Sequence, residues 1–333
     1  MMTKRNINLD IVRIFAAIMV LSVHIGQYIG KDFGVGAKGV QLFFVLSGYL
    51  AFSSVQNKTV LQYYKSRLIR ILPTYYFCLI LIYFKDIVKA IHEGTLSEVF
   101  KGQCGIGFFR YVFFIHCFTP SNNWNMWNNH SALWTMSSFI GFYLLAPWLY
   151  KLIKNTYVGI AVLFMLLFSR NWMINAIQQM LSSYPDEAHI EYFSSMNPLT
   201  ELYCFLFGAV LFIAIKESKQ YLYLLILLIG MIISSLSWYS YEIVFVILVA
   251  VSVLCENMTS NIAISKIINW LSKGSFTLYL VHPLVLAVES ALWYKLGIWS
   301  ESLHGLVLYT SCIAVSYFIY YCIINKIERR IIK

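Results

Sequence analysis

The sequence predicts an all-α membrane protein, a polytopic helix bundle of about ten transmembrane helices with both termini in the cytoplasm. Three observations support this. Hydrophobic residues make up 59% of the 333 positions, charged residues make up only 12%, and the mean hydropathy is +0.68. A soluble protein keeps about a quarter of its residues charged, so much of this surface must face lipid. The composition excludes disordered, collagen-like and nucleic-acid-binding proteins, and we expect residues 1–333 to form a single membrane domain.

Apolar stretches suitable for membrane spans recur along the whole chain. A helix needs about 20 apolar residues to cross the hydrocarbon core. The basic N-terminus precedes an apolar run that is too long for a signal peptide and lacks a small-residue cleavage site, so we expect a retained first span. We predict spans near 9–29, 38–56, 70–88, 131–150, 156–170, 197–215, 220–236, 239–256, 271–289 and 303–325.

The distribution of positive charge sets the predicted orientation. Of the 25 Lys and Arg residues, 16 lie in the two terminal segments and in every second loop between them, whereas eight lie in the other loops. Cytoplasmic loops carry the excess of Lys and Arg, so both termini are predicted to be cytoplasmic. The net charge of +10 therefore reflects membrane topology and gives no reason to expect a nucleic-acid partner.

The first span contains ionisable residues where lipid disfavours them. Arg13 and His24 are 11 residues apart, about three helical turns, and therefore share one face; Asp10 precedes Arg13 by three residues on nearly the same stripe. A neutral imidazole is suited to take a proton from a hydroxyl near pH 7, whereas Arg supplies positive charge. We predict a catalytic set of His24, Arg13 and Asp10. Interhelical packing by His24 and snorkelling by Arg13 remain alternatives.

A basic cluster precedes the third predicted span. Arg67 and Arg70 are three residues apart and are expected to project together from its cytoplasmic mouth. Paired guanidinium groups can hold phosphate oxygens in a bidentate manner, which predicts a binding site for a phosphate-bearing cofactor. Ordinary cytoplasmic positive charge is the alternative interpretation.

Two long external segments, 89–130 and 171–196, separate the predicted spans. The first combines several Asn residues between 122 and 129 with Trp124 and Trp127. Amides and aromatic rings together suit sugars, although an interfacial aromatic belt has the same composition.

Cys104 and Cys117 lie in this segment, and whether they form a disulfide stays open. The seven His residues are scattered, so we predict no metal site.

Five stretches resemble motifs of the acyltransferase-3 family, integral-membrane enzymes that O-acylate carbohydrates and lipids. They occur in the family's order between residues 8 and 283, so the resemblance covers nearly the whole chain. In sequence they are Asn8-Leu9-Asp10-Ile11-Val12-Arg13 with His24, the run from Gly39 to Leu50, Arg67-Leu68-Ile69-Arg70-Ile71-Leu72-Pro73 with Tyr75, Trp134 with Tyr143-Leu144-Leu145-Ala146-Pro147, and Tyr279-Leu280-Val281-His282-Pro283.

The chain also departs from the family pattern. Many members have a Gly after the first-span Arg, where this chain has Ile14, and many carry acidic residues in the fourth span, where this chain reads Met136-Ser137-Ser138-Phe139-Ile140-Gly141. The second departure means that this stretch supplies no acidic partner for the catalytic His.

The resemblance implies transfer of an acyl group, usually acetyl from cytoplasmic acetyl-CoA, to a hydroxyl of an envelope glycan or a lipid-linked sugar. Arg67 and Arg70 would hold the CoA phosphates while the pantetheine arm extends towards His24. His24 would act as general base or as an acyl carrier, Arg13 would neutralise negative charge, and Asp10 would position Arg13.

Four further residues are assigned to substrate contacts. They are Trp134, Tyr143, Glu201 and His282. For His282 a packed histidine, and for Glu201 an interfacial position, remain alternatives. The implied location is the plasma membrane of a bacterium.

A polysaccharide or lipid-linked sugar transporter is the competing functional class, because transporters also combine many spans with buried charges. Transporters often have paired broken helices in two repeated halves, and the sequence shows no such pair. Dependence on an acyl thioester would distinguish the two classes.

Overall fold

The computed structural model describes residues 6–97, 106–118, 131–183, 187–218, 221, 223, 240–255, 261–297 and 301–332. These residues are overwhelmingly helical and include no strand, which confirms the predicted all-α class. The α-helices are α1 (Ile7–Ile29), α2 (Gly39–Gln56), α3 (Val60–Glu93), α4 (Ile106–Val112), α5 (Trp134–Leu152), α6 (Thr156–Met180), α7 (Glu187–Ser195), α8 (Pro198–Lys216), α9 (Ser240–Leu254), α10 (Ile262–Leu296), α11 (Glu301–Ile319) and α12 (Asn325–Ile332).

Seven helical segments in the described ranges are long and apolar enough to cross a membrane, so the chain is a polytopic membrane protein. They are Ile7–Ile29, Gly34–Gln56, Val60–Glu93, Thr156–Met180, Phe193–Lys216, Ile262–Leu296 and His304–Ile331. The predicted spans near 131–150 and 239–256 correspond to α5 and to the shorter α9. The span predicted at 220–236 lies almost entirely outside the described residues. The count of ten spans and the cytoplasmic termini stay predictions.

Several helices extend well beyond the apolar stretch that predicts them. Helix α3 begins ten residues before the predicted span, because Thr59 and Gln62 form a reciprocal capping box at its N-terminus. Helix α10 begins after Asn261, whose side chain accepts hydrogen bonds from the first-turn backbone. The basic residues Arg67 and Arg70 are consequently part of a rigid helix rather than of a loop.

The chain forms two compact units. The first comprises Met1–Gln56 and Cys204–Lys333, and the second comprises Asn57–Tyr203. In the first unit, α1 is the central helix and packs against α10, α2, α11 and α9. A short 3₁₀ helix, Gly34–Lys38, leads from the end of α1 into α2.

Two glycines permit a close helix crossing in the first unit. A Cβ added to Gly48 in α2 would overlap the carbonyl oxygen of Phe205, and a Cβ added to Gly208 in α8 would overlap the carbonyl oxygen of Val45. Small residues allow helix backbones to approach in this way inside membranes. Gly48 belongs to the second motif of the sequence, which therefore has a packing role.

The second unit is held together by hydrogen bonds from side chains to backbone carbonyls. Tyr75 of α3 donates to the carbonyl of Tyr111 at 2.6 Å, and the Asn197 amide donates to the carbonyl of Cys117 at 2.9 Å. Cys117 is a free, buried thiol that donates to the carbonyl of Trp134. Cys104, the residue whose pairing with Cys117 the sequence leaves open, lies outside the described residues.

Candidate active site

The start of the first helix is anchored by three asparagine contacts. Asn6 caps α1 by accepting a hydrogen bond from the backbone N–H of Leu9. The amides of Asn6 and Asn8 both donate to the carbonyl of Ser252 in α9, at 3.0 and 3.2 Å. These contacts fix the rotation of α1 about its axis, and with it the direction of the polar stripe.

Asp10 and Arg13 form a partly buried ion pair, as their spacing predicts. The guanidinium Nη1 of Arg13 lies 3.4 Å from the Asp10 carboxylate, with side chains 17% and 6% exposed. Ser272 of α10 completes the network, since its hydroxyl donates to Asp10 at 2.7 Å and accepts from Arg13 at 3.1 Å. Because the carboxylate balances the guanidinium, Arg13 is a charge already compensated within the protein.

His24 lies three turns further along α1 and makes a separate set of contacts. Its Nδ1 is 3.4 Å from the side-chain oxygen of Gln27. Its ring contacts the ring of His282 in α10, with centroids 5.0 Å apart and planes inclined by 39°. The contact between α1 and α10 thus brings together two polar groups. One consists of Asp10 and Arg13, and the other consists of His24 and His282.

The structure fixes the His282 ring more firmly than that of His24. His282 is completely buried, and its Nδ1 is 3.1 Å from the carbonyl of Leu278 one turn earlier. A carbonyl only accepts, so Nδ1 carries the proton. Pro283 follows inside the helix and has no N–H to donate to the carbonyl of Tyr279. The ring therefore sits where the helical hydrogen-bond ladder is already interrupted.

Glu289 is a site candidate that sequence reasoning missed. It lies in α10 seven residues after His282, hence on the same face. Its carboxylate accepts hydrogen bonds from the Ser311 hydroxyl of α11 and from the Trp293 indole. An acidic residue inside an apolar span is itself the signal that would have found it.

Arg67 and Arg70 have different environments, although both lie in the first part of α3. The Arg67 guanidinium lies over the rings of Tyr63 and Tyr143, at 5.5 and 5.1 Å from their centroids. Arg70 is exposed. Partial burial and the nearby positive charge of Arg67 lower the pKa of Lys58 in the loop before α3. Lys58, Arg67 and Arg70 therefore provide positive charge at this end of the helix.

The other predicted substrate residues are placed as follows. Tyr143 of α5 is partly exposed and lies against Arg67. Trp134 is partly exposed at the start of α5. Glu201 is buried and forms an ion pair with Arg170 of α6 at 3.3 Å. This pairing favours a structural role for Glu201 within the second unit.

The chemistry available along α1 and α10 is proton transfer. A partly exposed histidine lies beside a second, fully buried histidine, and a charge-balanced network lies towards the start of α1. Among the described residues, no three His, Cys, Asp or Glu side chains are grouped as metal ligands. The absence of a metal stays a prediction for the chain as a whole.

Comparison with known proteins gives one match. A family model described as "Acyltransferase domain" matches residues 6–321, nearly the whole chain. No curated protein and no solved structure matches the chain. The matched range begins just before Asp10 and includes every site residue described above.

Proposed function

The chain belongs to the acyltransferase-3 family, and on that basis we propose that it transfers an acetyl group from acetyl-CoA to a hydroxyl of a glycan or lipid-linked sugar. Membership makes it a membrane acyltransferase. The observation that carries the finer proposal is His24, a titratable side chain inside a membrane span that contacts a second histidine. Such a residue in lipid needs a functional reason.

In the proposed reaction, His24 acts as general base on the acceptor hydroxyl. The Nδ1 of His24 faces the Gln27 amide oxygen, which only accepts, so Nε2 carries the lone pair that takes the proton. The hydroxyl oxygen then bonds to the acyl carbon as the carbon–sulfur bond of the thioester breaks. The proton passes to the departing thiolate, and the products are the acyl ester and free CoA thiol.

The donor's phosphates are assigned to the basic end of α3. Arg67 presents a planar guanidinium that lies over two tyrosine rings, and these contacts support its use in binding phosphate oxygens. Lys58 supports the assignment, because partial burial and, to a smaller extent, repulsion by Arg67 lower its pKa, and a bound phosphate would offset that positive charge. Arg70 is exposed and adds charge that steers an anionic donor.

Acceptor binding is assigned to Trp134, whose partly exposed aromatic ring suits the C–H faces of sugars. Tyr143 lies against Arg67 and is assigned to the donor side of the substrate site. His282 is not assigned to substrate contact in this proposal, because it is completely buried and in contact with the ring of His24. The proposed location is the plasma membrane of a bacterium, with the acceptor an envelope glycan or its lipid-linked precursor.

The test is release of free thiol from acetyl-CoA by the purified protein in detergent, with and without candidate sugar acceptors. We expect wild-type protein to release thiol and His24→Ala to lose that activity while remaining folded. His92→Ala is the matched control, because His92 is an exposed histidine near the end of α3. Equal thiol release by wild type and His24→Ala would remove His24 from the reaction. If the wild-type protein neither released thiol nor bound acetyl-CoA, the result would favour a transporter.

A further inference from the structure

The buried ring of His282 has one nitrogen that the described structure leaves without a partner. Nδ1 donates to the Leu278 carbonyl, so Nε2 carries a lone pair and is an acceptor. That Nε2 atom is buried and has no hydrogen-bond partner among the described residues. A buried acceptor that remains unsatisfied is costly, so this nitrogen is available to a donor that forms during the reaction.

The neighbours of His282 narrow the choice of donor. The thiol of Cys312 donates to the backbone carbonyl of His282, and the ring of Tyr279 lies 6.3 Å away. Glu289, the acid on the same helical face, already accepts from Ser311 and Trp293. The ring in contact with His282 is that of His24.

His24 becomes a donor at one stage of the proposed reaction. In the resting state its Nδ1–H faces Gln27 and its Nε2 carries a lone pair. When Nε2 takes the proton of the acceptor hydroxyl, the ring becomes an imidazolium with a new N–H. A charged donor beside an unpaired acceptor favours a strong, charge-assisted hydrogen bond.

We propose that His282 is the positioning residue of His24, and that its Nε2 accepts a hydrogen bond from the imidazolium of His24 as that ring holds the transferred proton. A carboxylate orients a catalytic histidine through the nitrogen that takes no part in proton transfer, whereas His282 would hold the Nε2–H of His24 once the acceptor oxygen has bonded to the acyl carbon. The proton stays on His24 until it passes to the CoA thiolate, so His282 gains no proton overall. This inference rests on the proposed function.

The kinetic test compares His282→Leu with His282→Gln, since Leu removes the acceptor and Gln retains an acceptor oxygen. We expect kcat for thiol release to fall about 10- to 100-fold in His282→Leu. His282→Gln should recover most of the loss, and KM for acetyl-CoA should stay unchanged in both. Wild-type kcat in His282→Leu, or an equal loss in both variants, would overturn the proposal.

A spectroscopic test does not depend on acyl transfer. In protein labelled with ¹⁵N-histidine and with His24 protonated, we expect nitrogen–nitrogen coupling across a hydrogen bond between residues 24 and 282. His24→Ala and His282→Gln should each remove it. Coupling in a wild-type protein that releases no thiol would support the pair and reject the proposed reaction. Absence of coupling in wild type would overturn the pair even if thiol release is normal.

Discussion

Ser272 and Asp10, which are 262 positions apart in the sequence, form a hydrogen bond of 2.7 Å from the serine hydroxyl to the aspartate carboxylate. The same hydroxyl accepts from Arg13 at 3.1 Å. One neutral side chain of α10 therefore holds both members of an ion pair in α1. The contact ties the two helices together near the start of each.

The first prediction concerns this network. Asp10→Asn leaves the Arg13 guanidinium without its counter-charge, and we expect it to lower the free energy of unfolding by about 3 kcal/mol. Ser272→Ala removes hydrogen bonds to charged groups and should cost about 2 kcal/mol. Thermal unfolding in detergent measures both effects.

Ser265→Ala is the matched control, because that hydroxyl only bonds to a carbonyl of its own helix. The double variant Asp10→Asn with Ser272→Ala should lose less stability than the two single changes together, since both remove one network. Strict additivity would show that the two residues act independently.

The second prediction concerns the glycines at the crossing of α2 and α8. Gly48→Ala and Gly208→Ala each place a methyl group on a backbone carbonyl of the facing helix, so the helices must separate. We expect each to lower stability by about 2–3 kcal/mol. Gly141→Ala in α5 is the control, because the nearest atom to its added Cβ lies 3.8 Å away. Tolerance of alanine at residues 48 and 208 would contradict the close crossing.

The third prediction concerns donor binding by Arg67. Arg67→Lys keeps the charge but loses the planar group that lies over Tyr63 and Tyr143, so KM for acetyl-CoA should rise about tenfold with a smaller change in kcat. Arg70→Lys should resemble wild type, because an exposed lysine still supplies its charge.

Salt dependence tests the electrostatic part of this assignment. The difference in acetyl-CoA affinity between wild type and Arg67→Ala should be largest at low ionic strength and shrink as KCl is added, because salt screens exposed charges. If wild type and Arg67→Ala bound acetyl-CoA with the same affinity at every salt concentration, Arg67 would have a role in helix packing alone.

The fourth prediction concerns Cys117. Burial raises the pKa of this thiol to about 12, so at pH 8 only about 10⁻⁴ of it is thiolate. We expect maleimide to label exposed Cys255 in the folded protein and to label Cys117 only after denaturation. Peptide mass mapping without reductant provides the measurement. Failure of Cys117 to react even after denaturation would indicate a disulfide.

Local features of the site follow from the sequence, because helical spacing fixes them. The three-residue step from Asp10 to Arg13 predicts their ion pair, which the structure contains. The class of the fold also follows from the sequence, since apolar runs of about 20 residues have the length of membrane-spanning helices. These inferences need no knowledge of which helices are neighbours.

Contacts between distant parts of the chain do not follow in the same way. Nothing in the spacing of His24 and His282 indicates that their rings meet, because the contact depends on the packing of α1 against α10. The ion pair of Glu201 with Arg170 is equally invisible in the sequence. Helix α3 begins ten residues before the apolar span that hydropathy predicts, because hydropathy detects lipid contact but not helix capping.

The compensation of Arg13 by Asp10 has a further consequence for energetics. These are the only two charged side chains in α1, and they are separated by less than one helical turn, so the helix carries no net charge. A transmembrane voltage does work only on displaced or unbalanced charge. While His24 is neutral, a small shift of α1 would therefore be almost indifferent to the membrane potential, whereas the imidazolium that forms at His24 in the proposed reaction would give the helix a net charge on which the potential acts.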